Sequence, residues 1–308
     1  MGRISALLAC LALALGACGG QSSEPAASGS TQDAAFPVTI EAANGDVGMP
    51  ARPKRIVSLS PTATEMLFAI GAGAQVVAVD DQSDYPPSVP TTDLSGYEPS
   101  IEAIAKYEPD LVVSTSESGL KPLSDISIPL VVLPAASSLQ DSYMQFEQLG
   151  IATGHAADAA EEVARIKSQL QEVVGTVPEL EEPPTYYHEL DNTYYTATSD
   201  TFIGRIYELA GLRNIADKAD KSGTGYPQLS AEYIVQADPD LIFLADSECC
   251  DQTPERVAQR PGWDQISAVE NGGIFEVSDD ISSRWGPRVV EFSRIVVEAV
   301  RELEGAHQ

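Results

Sequence analysis

Two stretches of the chain, 130 residues apart, carry the same pattern, and this internal repeat constrains the fold more than any other feature. Ile101–Val112 reads IEAIAKYEPDLV and Ala231–Ile242 reads AEYIVQADPDLI, so Glu, Ile, Pro, Asp and Leu recur in register without a gap. Each copy predicts a short helix that is broken by proline and followed by a buried strand. Because a whole helix–strand unit recurs at a fixed offset, we expect a duplicated architecture with two similar lobes.

Short apolar runs alternate with helical patterns along both halves of the chain. The runs have the length of buried strands and lie at Ile56–Leu59, Val76–Val79, Leu111–Val113, Leu130–Leu133, Tyr186–His188 and Leu241–Leu244. Thr62–Glu65 has the spacing of a capping box and predicts that a helix begins directly after the first run. This order predicts an α/β fold of parallel sheets with helices on both faces.

A long helix is predicted between the two halves. Ala156–Val174 contains neither proline nor glycine, and its apolar residues recur at helical spacing at Val163, Ile166, Leu170 and Val173. A helix of 19 residues spans roughly 28 Å and can join two lobes, although an ordinary surface helix has the same pattern. We therefore expect lobes at residues 54–152 and 183–308, with the linking helix and its connector at 153–182.

The amino-terminal stretch predicts export and a lipid anchor. Arg3 precedes an apolar run, Ile4–Leu15, which is too short to span a bilayer and leads into Leu-Gly-Ala-Cys, ending at Cys18. We expect residues 1–17 to be a lipoprotein signal peptide, Cys18 to carry diacylglycerol, and residues 18–36 to form a flexible tether. The alternative is a cleaved secretory signal that ends near a cysteine. Under the first interpretation the chain is anchored to the extracytoplasmic face of the cell membrane.

Charge and motif content argue against several functions. The chain has 46 acidic and 18 basic residues and a formal net charge of −28, so it offers no basic surface for nucleic acid. High net charge favours a soluble monomer. With only 3 histidines, a metal cluster is not expected, and the sequence has no nucleophile elbow, zinc-protease motif or phosphate loop. We expect neither an enzyme nor a chain with its own cofactor or metal.

Two adjacent cysteines, Cys249 and Cys250, follow the predicted strand Leu241–Leu244. Cys10 is removed with the signal peptide and Cys18 is used for the lipid, so these two are the thiols of the folded region. In an oxidising compartment they could close a strained vicinal disulfide. Two free thiols, or disulfides to other proteins, are the alternatives.

Several motifs, taken in order along about 250 residues, resemble one protein family. They are Arg55–Glu65 (RIVSLSPTATE), Ser83–Pro87 (SDYPP), Glu102–Val113, Tyr226–Ser230 (YPQLS) and Trp285–Arg288 (WGPR). They are similar to the periplasmic binding proteins for cobalamin, ferric siderophores and haem, the solute-binding components of ABC importers. The resemblance implies two Rossmann-like lobes joined by a single long helix, with one ligand held in the cleft between them.

The resemblance also implies partners. In the family, one surface glutamate on each lobe docks against arginines of the membrane permease, which is driven by its ATPase. Glu102 and Glu232 match those positions and belong to the two copies of the repeat. Each glutamate also lies where it would complement the positive end of a short helix, and both roles can hold together.

The ligand is expected beyond the carboxyl ends of the parallel strands, where clefts of α/β lobes lie. Tyrosines are dense in the segments that follow the strands, and we predict ligand contacts at Tyr85, Tyr97, Tyr195 and Tyr226. Flat aromatic rings suit a large macrocycle or chelate. We add Arg284 and Trp285: basic residues are scarce here, and a guanidinium can hold a phosphate or carboxylate through two hydrogen bonds. Arg288 is expected to be structural and paired with an acid.

The identity of the chelate stays open between three classes. The motifs Ser83–Pro86 and Tyr226–Gln228 favour cobalamin or a related corrinoid. The chain has Gly96 and Thr115 where the cobalamin subfamily has an aromatic residue, which keeps ferric siderophores and haem as alternatives. Haem would need an axial ligand, for which Tyr97 or His188 is available, although His188 lies in a strand-like run and is expected to be a core residue.

Overall fold

The computed structural model describes residues 35–306, so the predicted signal peptide and Cys18 lie outside the described residues. The first lobe is built on a parallel sheet of four strands, β3 (Ile56–Leu59), β4 (Val76–Val79), β5 (Leu111–Ser114) and β6 (Leu130–Val132). Their order in the sheet is β4-β3-β5-β6. Its helices are α1 (Pro61–Ala69), α2 (Ile101–Ala105) and α3 (Leu139–Thr153), with 3-10 turns at Ala72–Gln75 and Lys121–Ile126. All predicted strands of this lobe are confirmed.

The second lobe repeats this sheet. Its strands are β7 (Thr185–Glu189), β8 (Arg213–Asn214), β9 (Leu241–Leu244) and β10 (Ile274–Glu276), and their order is β8-β7-β9-β10. Every pairing in both sheets is parallel. The helices of this half are α5 (Phe202–Leu209), α6 (Ala231–Ala237), α7 (Ser247–Cys250), α8 (Pro254–Ala258), α9 (Ser267–Glu270), α10 (Asp279–Ser283) and α11 (Val289–Ala306), with a 3-10 turn at Trp263–Gln265. The predicted α/β class and two-lobed architecture are confirmed.

The repeat found in the sequence is also a repeat of backbone geometry. Ile56 pairs with Leu111 in the first sheet, and Tyr186 pairs with Leu241 in the second, so the offset of 130 extends to the neighbouring strand. The residue before each Pro-Asp, Glu108 in one copy and Asp238 in the other, has a φ of 45°. A non-glycine residue rarely adopts this left-handed conformation, so its recurrence marks the same turn in both lobes.

The aspartate of each Pro-Asp pair explains why this turn is kept. The Asp110 carboxylate accepts a hydrogen bond from the backbone N–H of Arg55 at 2.8 Å. Its counterpart Asp240 accepts from the backbone N–H of Thr185 at 2.7 Å. Each carboxylate thus ties the start of one strand to the start of its neighbour and satisfies a backbone donor at the sheet's amino edge.

A hairpin that the sequence patterns did not predict covers one edge of the first sheet. Its strands β1 (Val38–Ala42) and β2 (Gly45–Met49) pair antiparallel. At its turn, the Asn44 side-chain amide donates to the carbonyl of Leu130 at 2.8 Å and accepts from the N–H of Val132 at 3.1 Å. These bonds occupy backbone groups of edge strand β6, which would otherwise be open to pairing with another chain.

Helix α4 spans Ala156–Val174, as predicted from its spacing. Its buried face consists of Ala159, Val163, Ile166 and Leu170 and packs between α3 of the first lobe and α11 of the second. The helix therefore contacts both halves of the molecule. Among residues 35–306, none of the helices combines the length and apolar character needed to cross a membrane.

Candidate ligand cleft and interlobe contacts

The loop that carries Tyr97 lies against the carboxyl edge of the first sheet. A Cβ added to Gly96 would lie 2.7 Å from Asp80 Oδ2 and 3.0 Å from the Leu59 carbonyl oxygen. Only glycine allows the loop to approach the strand ends so closely. The side chain of the next residue, Tyr97, is 93% exposed and has its ring free for a ligand. Gly96 thus has a structural reason to lack an aromatic side chain.

Tyr195 and Tyr226 lie on two paired segments beyond the carboxyl end of β7. The N–H of Thr196 donates to the Pro227 carbonyl at 3.1 Å, and Tyr195 forms an isolated antiparallel bridge with Gln228. The pairing brings both tyrosines to one edge of the second sheet, and their side chains are 42% and 47% exposed. Partial burial raises the pKa of the Tyr226 phenol, which therefore stays protonated and able to donate a hydrogen bond.

Tyr85 lies beside the interlobe contacts. Its half-exposed ring covers the Arg288 guanidinium, with 4.4 Å between the guanidinium carbon and the ring centroid, a cation–π distance. The ring also lines a groove of about 530 Å³ between α1, α4 and α11. Tyr85 is thus partly engaged by the protein itself.

Arg284, predicted as a ligand contact, is committed to protein groups. Its Nη1 lies 3.0 Å from Glu65 Oε1 and 2.9 Å from Asp84 Oδ1, while Nη2 donates to the Gln82 carbonyl at 3.0 Å and pairs with Asp280. The residue is only 8% exposed. In this arrangement the guanidinium joins the two lobes and has few donors left for a ligand.

Trp285 also bridges the lobes. Its indole N–H donates to Gln145 Oε1 at 2.6 Å, and its carbonyl accepts from the Ser142 hydroxyl at 2.5 Å. Both partners belong to α3 of the first lobe. The indole is half-buried against the apolar core, so ligand contact is open only to its exposed part.

Arg288 is paired with an acid, as expected. Its Nε donates to Glu65 Oε2 at 3.0 Å and its Nη2 to Glu65 Oε1 at 2.5 Å, a bidentate contact to a carboxylate that is fully buried. We call Glu65, Asp84, Asp280, Arg284 and Arg288 the interlobe cluster. It contains three carboxyl groups and two guanidinium groups, so full ionisation leaves one negative charge in excess.

The acids of the interlobe cluster respond in opposite ways to their surroundings. Desolvation opposes ionisation of Asp84, but the hydrogen bond and charge of Arg284 outweigh it and lower the pKa of that carboxyl. Desolvation dominates at Asp280 and, together with the charge of Asp84, raises its pKa to about 6 despite Arg284. The excess negative charge is therefore relieved by protonation of Asp280 as the pH falls below 6.

A second buried ionic group, not found from the sequence, lies at the carboxyl edge of the second sheet. Glu189 is fully buried, and Arg260 donates to its two oxygens at 2.6 and 2.5 Å. Asp246, also fully buried, lies beside this pair, and neither of its oxygens accepts a hydrogen bond from the described residues. Burial, followed by the charge of Glu189, raises the pKa of Asp246 to about 7.

His188 is a core residue, as its strand-like surroundings predicted. The side chain is fully buried, its Nδ1 lies 2.8 Å from the Tyr207 hydroxyl, and desolvation lowers its pKa to about 3. It is neutral and has no exposed nitrogen with which to ligate a haem iron. Of the two residues considered for that role, the structure leaves Tyr97 accessible.

In the structure Cys249 and Cys250 are free thiols on the short helix α7, one of the alternatives to a vicinal disulfide. Consecutive Cα atoms lie about 3.8 Å apart, less than the roughly 4.4–6.8 Å that an unstrained disulfide spans. A hydrogen bond with Cys250, followed by burial, raises the pKa of Cys249 to about 12. Cys249 is therefore held as a thiol, which reacts slowly with oxidants.

The two predicted docking glutamates occupy equivalent surface positions. Glu102 lies in the first turn of α2 and Glu232 in the first turn of α6, and both side chains are exposed. Each helix begins at a serine, Ser100 or Ser230, whose hydroxyl accepts from the N–H three residues later at 3.3 and 3.2 Å. Hydrogen bonds from its own backbone N–H and from Ser230 lower the pKa of Glu232, so this carboxylate stays negatively charged at the start of its helix.

Within residues 35–306, no cluster of three or more His, Cys, Asp or Glu side chains is arranged to hold a metal ion.

Comparison with known proteins gives one consistent result. The family model described as periplasmic binding protein matches residues 56–281. An uncharacterised ABC transporter substrate-binding lipoprotein of Bacillus subtilis is 32% identical over 96% of this chain and 96% of its own length. A cobalamin-binding protein of Halobacterium salinarum is 31% identical over 83% of this chain and 72% of its own.

A solved structure supports the fold. The periplasmic vitamin B12 binding protein of Vibrio cholerae superposes with a TM-score of 0.66 at 23% identity. The match covers 83% of this chain and 98% of that one. At this identity the likeness concerns the fold, and it extends over both lobes.

Proposed function

The chain belongs to the periplasmic binding protein family and is the substrate-binding component of an ABC transporter, and we propose that it captures cobalamin or a related corrinoid. The ligand would lie between the carboxyl edges of the two sheets and would then be passed to the permease. Binding and delivery require shape, aromatic surface and docking charges rather than catalytic groups.

The observation that carries this proposal is the set of exposed tyrosines at the strand ends of both lobes. Tyr97 lies at the edge of the first sheet, and Tyr195 and Tyr226 lie at the edge of the second. Exposed aromatic surface gathered in one region of a protein marks a binding site. Rings at the strand ends of both lobes would face a ligand held between the lobes, and they suit a wide, flat ligand such as a corrin macrocycle.

The charges beside the cleft favour a corrinoid over an anionic chelate. Arg284 pairs with Glu65, Asp84 and Asp280. A ligand carboxylate would have to displace these partners to reach the guanidinium, and the surrounding acids would repel it. The amide side chains of a corrinoid carry no charge and can bond to tyrosine hydroxyls instead. Relatives named as cobalamin-binding support the same choice.

A ferric siderophore or haem is the second candidate, and Tyr97 is the observation in its favour. A phenol that is 93% exposed at the sheet edge is accessible as an axial ligand to iron. Such binding would give a phenolate-to-iron absorption band, which a corrinoid complex lacks, so the optical spectrum separates the two candidates.

We predict that cyanocobalamin quenches the intrinsic fluorescence of the purified protein at micromolar concentration or below. Haem and a ferric hydroxamate should bind more weakly. Tyr195→Ala and Tyr226→Ala should each weaken cyanocobalamin binding about two- to twelvefold, because each removes one aromatic contact of about 0.5–1.5 kcal/mol. Isothermal titration calorimetry measures these changes.

Leu209→Ala is the matched control, since Leu209 is also a large apolar residue, 37% exposed, but lies on α5. The affinity of this variant for cyanocobalamin should equal that of the wild type. Failure of all three chelates to bind would overturn the proposed ligand class, and tighter binding of haem with a phenolate band would select the second candidate.

Glu102 and Glu232 are proposed as the docking points on the permease. They are exposed, one on each lobe, and lie in matching copies of the repeat. Two like charges, one on each lobe, orient the protein as it binds the permease, since charges at the rim of an interface chiefly set encounter rate and register.

Replacing both glutamates by lysine should therefore lower ligand-stimulated transport by the permease at least about tenfold at low salt, without changing ligand affinity. Uptake into proteoliposomes containing the permease measures the first quantity, and calorimetry the second. The control replaces Glu161 and Glu172, which are exposed on α4, by lysine. This variant has the same change in net charge and should transport normally. Equal losses in the two double variants would contradict a specific docking role.

The proposal also places the chain outside the cytoplasm. We propose that Cys18, outside the described residues, carries a lipid that holds the protein on the extracytoplasmic face of the membrane as a monomer. A relative named as a lipoprotein, aligned over 96% of this chain, supports the anchor. We also propose that the two lobes span residues 54–152 and 183–308.

A further inference from the structure

We propose that Glu65 is the positioning residue that fixes the orientation of one lobe relative to the other. The inference deepens the proposed function, and it rests on that function only for the purpose that a fixed orientation serves. The contacts themselves are independent of which ligand is bound.

The need for such a residue follows from the chain path. The polypeptide passes from the first sheet to the second once, through α3, α4 and the connector that ends at β7. One covalent crossing leaves rotation of the lobes to be resisted by side-chain contacts. In the segment Arg284–Arg288, both arginines and the indole of Trp285 contact the first lobe.

Among these contacts, Glu65 has the position of a shared centre. It belongs to α1 of the first lobe, and its two oxygens receive Arg284 Nη1 and both Nε and Nη2 of Arg288, all from the second lobe. The Glu65 side chain has no exposed surface, and those of the two arginines are 9% and 11% exposed. A buried carboxylate between two buried guanidinium groups has strict geometric requirements, because any displacement leaves a charge without its partner.

The other acids of the interlobe cluster cannot replace Glu65. The Asp84 side chain is 69% exposed, so water screens its attraction to Arg284. Asp280 lies on α10, in the same lobe as the arginines, and its pairing does not hold the lobes together. Glu65 is thus the fully buried carboxyl of the cluster that acts across the lobes.

A fixed orientation matters because the proposed docking points are divided between the lobes. Glu102 lies on the first lobe and Glu232 on the second, so their separation is constant only when the lobes are held. Glu65 would therefore set the spacing that a permease recognises, through Arg284 and Arg288 rather than by contact with ligand or permease.

The distance between the lobes tests the inference directly. The full chain is solubilised in detergent and labelled at Lys106 and Gln236, which are exposed residues at equivalent positions of the repeat. At each position a keto amino acid is introduced and coupled to a nitroxide, so the cysteines are not used for labelling. Pulsed electron–electron double resonance should give one narrow distribution of distances between the two nitroxides in the wild type. Glu65→Gln should broaden the distribution about twofold or shift its centre by at least about 2 Å.

Glu162→Gln is the control, because it removes a carboxylate that is bonded to Arg165 within α4 and does not cross between lobes. Its distribution should match the wild type. If Glu65→Gln fails to fold, Arg288→Lys keeps the charge, removes the two-point contact and should broaden the distribution to a smaller extent. An unchanged distribution in a folded Glu65 or Arg288 variant would overturn the inference, and this result would leave the proposed ligand and transporter untouched.

Discussion

Replacing Arg260 by methionine should lower the free energy of unfolding by about 3–5 kcal/mol, because it leaves a buried carboxylate without its cation. Glu189 is fully buried, and Arg260 donates to both of its oxygens at 2.6 and 2.5 Å. The guanidinium also lies over the Trp263 ring, 4.6 Å from its centroid. Methionine keeps much of the volume of the side chain, so the loss measures the charge pair and not a cavity.

Urea unfolding followed by far-UV circular dichroism measures this loss. Arg165→Met is the matched control, since Arg165 is also paired with a glutamate, Glu162, but its side chain is 46% exposed. An exposed pair contributes about 0–1 kcal/mol, so the control should change little. Equal losses in the two variants would show that burial of Glu189 does not govern the strength of its pairing.

The elements of the fold that were predictable are those determined by local sequence. The apolar runs of β3 and β9 are unbroken, and α4 has a clean helical period, so each was located at its observed position. The β1–β2 hairpin was missed because it depends on Asn44, whose partners Leu130 and Val132 are more than 80 residues away along the chain.

The candidate site also combines residues that local sequence predicts with residues that depend on distant partners. Tyr97, Tyr195 and Tyr226 were predicted from their place after strands, and the structure leaves them exposed at those edges. Arg284 stands out in the sequence because basic residues are scarce, but no sequence pattern indicates that Glu65, 219 residues earlier, is its partner. Pairing between distant charges follows from the packing of the lobes, which no local pattern reveals.

Asp246 is the buried acid for which stability should depend most strongly on pH. Arg260 donates to both oxygens of Glu189 and to Gln252, so two buried carboxyl groups share one cation, and Asp246 remains in place as a neutral acid beside Glu189. Burial raises its pKa to about 7, compared with the ordinary value of 3.8 that it has in the unfolded chain.

The sign of the effect follows from proton binding. Between these two values the folded protein holds a proton that the unfolded chain has released, so the contribution of Asp246 to stability is present at low pH and is lost as the pH rises to 7. Asp246→Asn keeps the size and polarity of the side chain but cannot ionise. The free energy of unfolding of the variant, minus that of the wild type, should therefore increase from pH 4 to 7 by roughly 3–4 kcal/mol and level off above.

Chemical unfolding at a series of pH values measures this difference, and using the difference removes the contributions of His188 and Asp280, which are the same in both proteins. Asp251→Asn is the control: Asp251 is exposed just beyond α7 and has a φ of 52°, a conformation that asparagine tolerates. Its difference from the wild type should stay within about 0.5 kcal/mol at every pH. A flat difference curve for Asp246→Asn would mean that Asp246 is ionised in the fold and that a cation other than Arg260 compensates its charge.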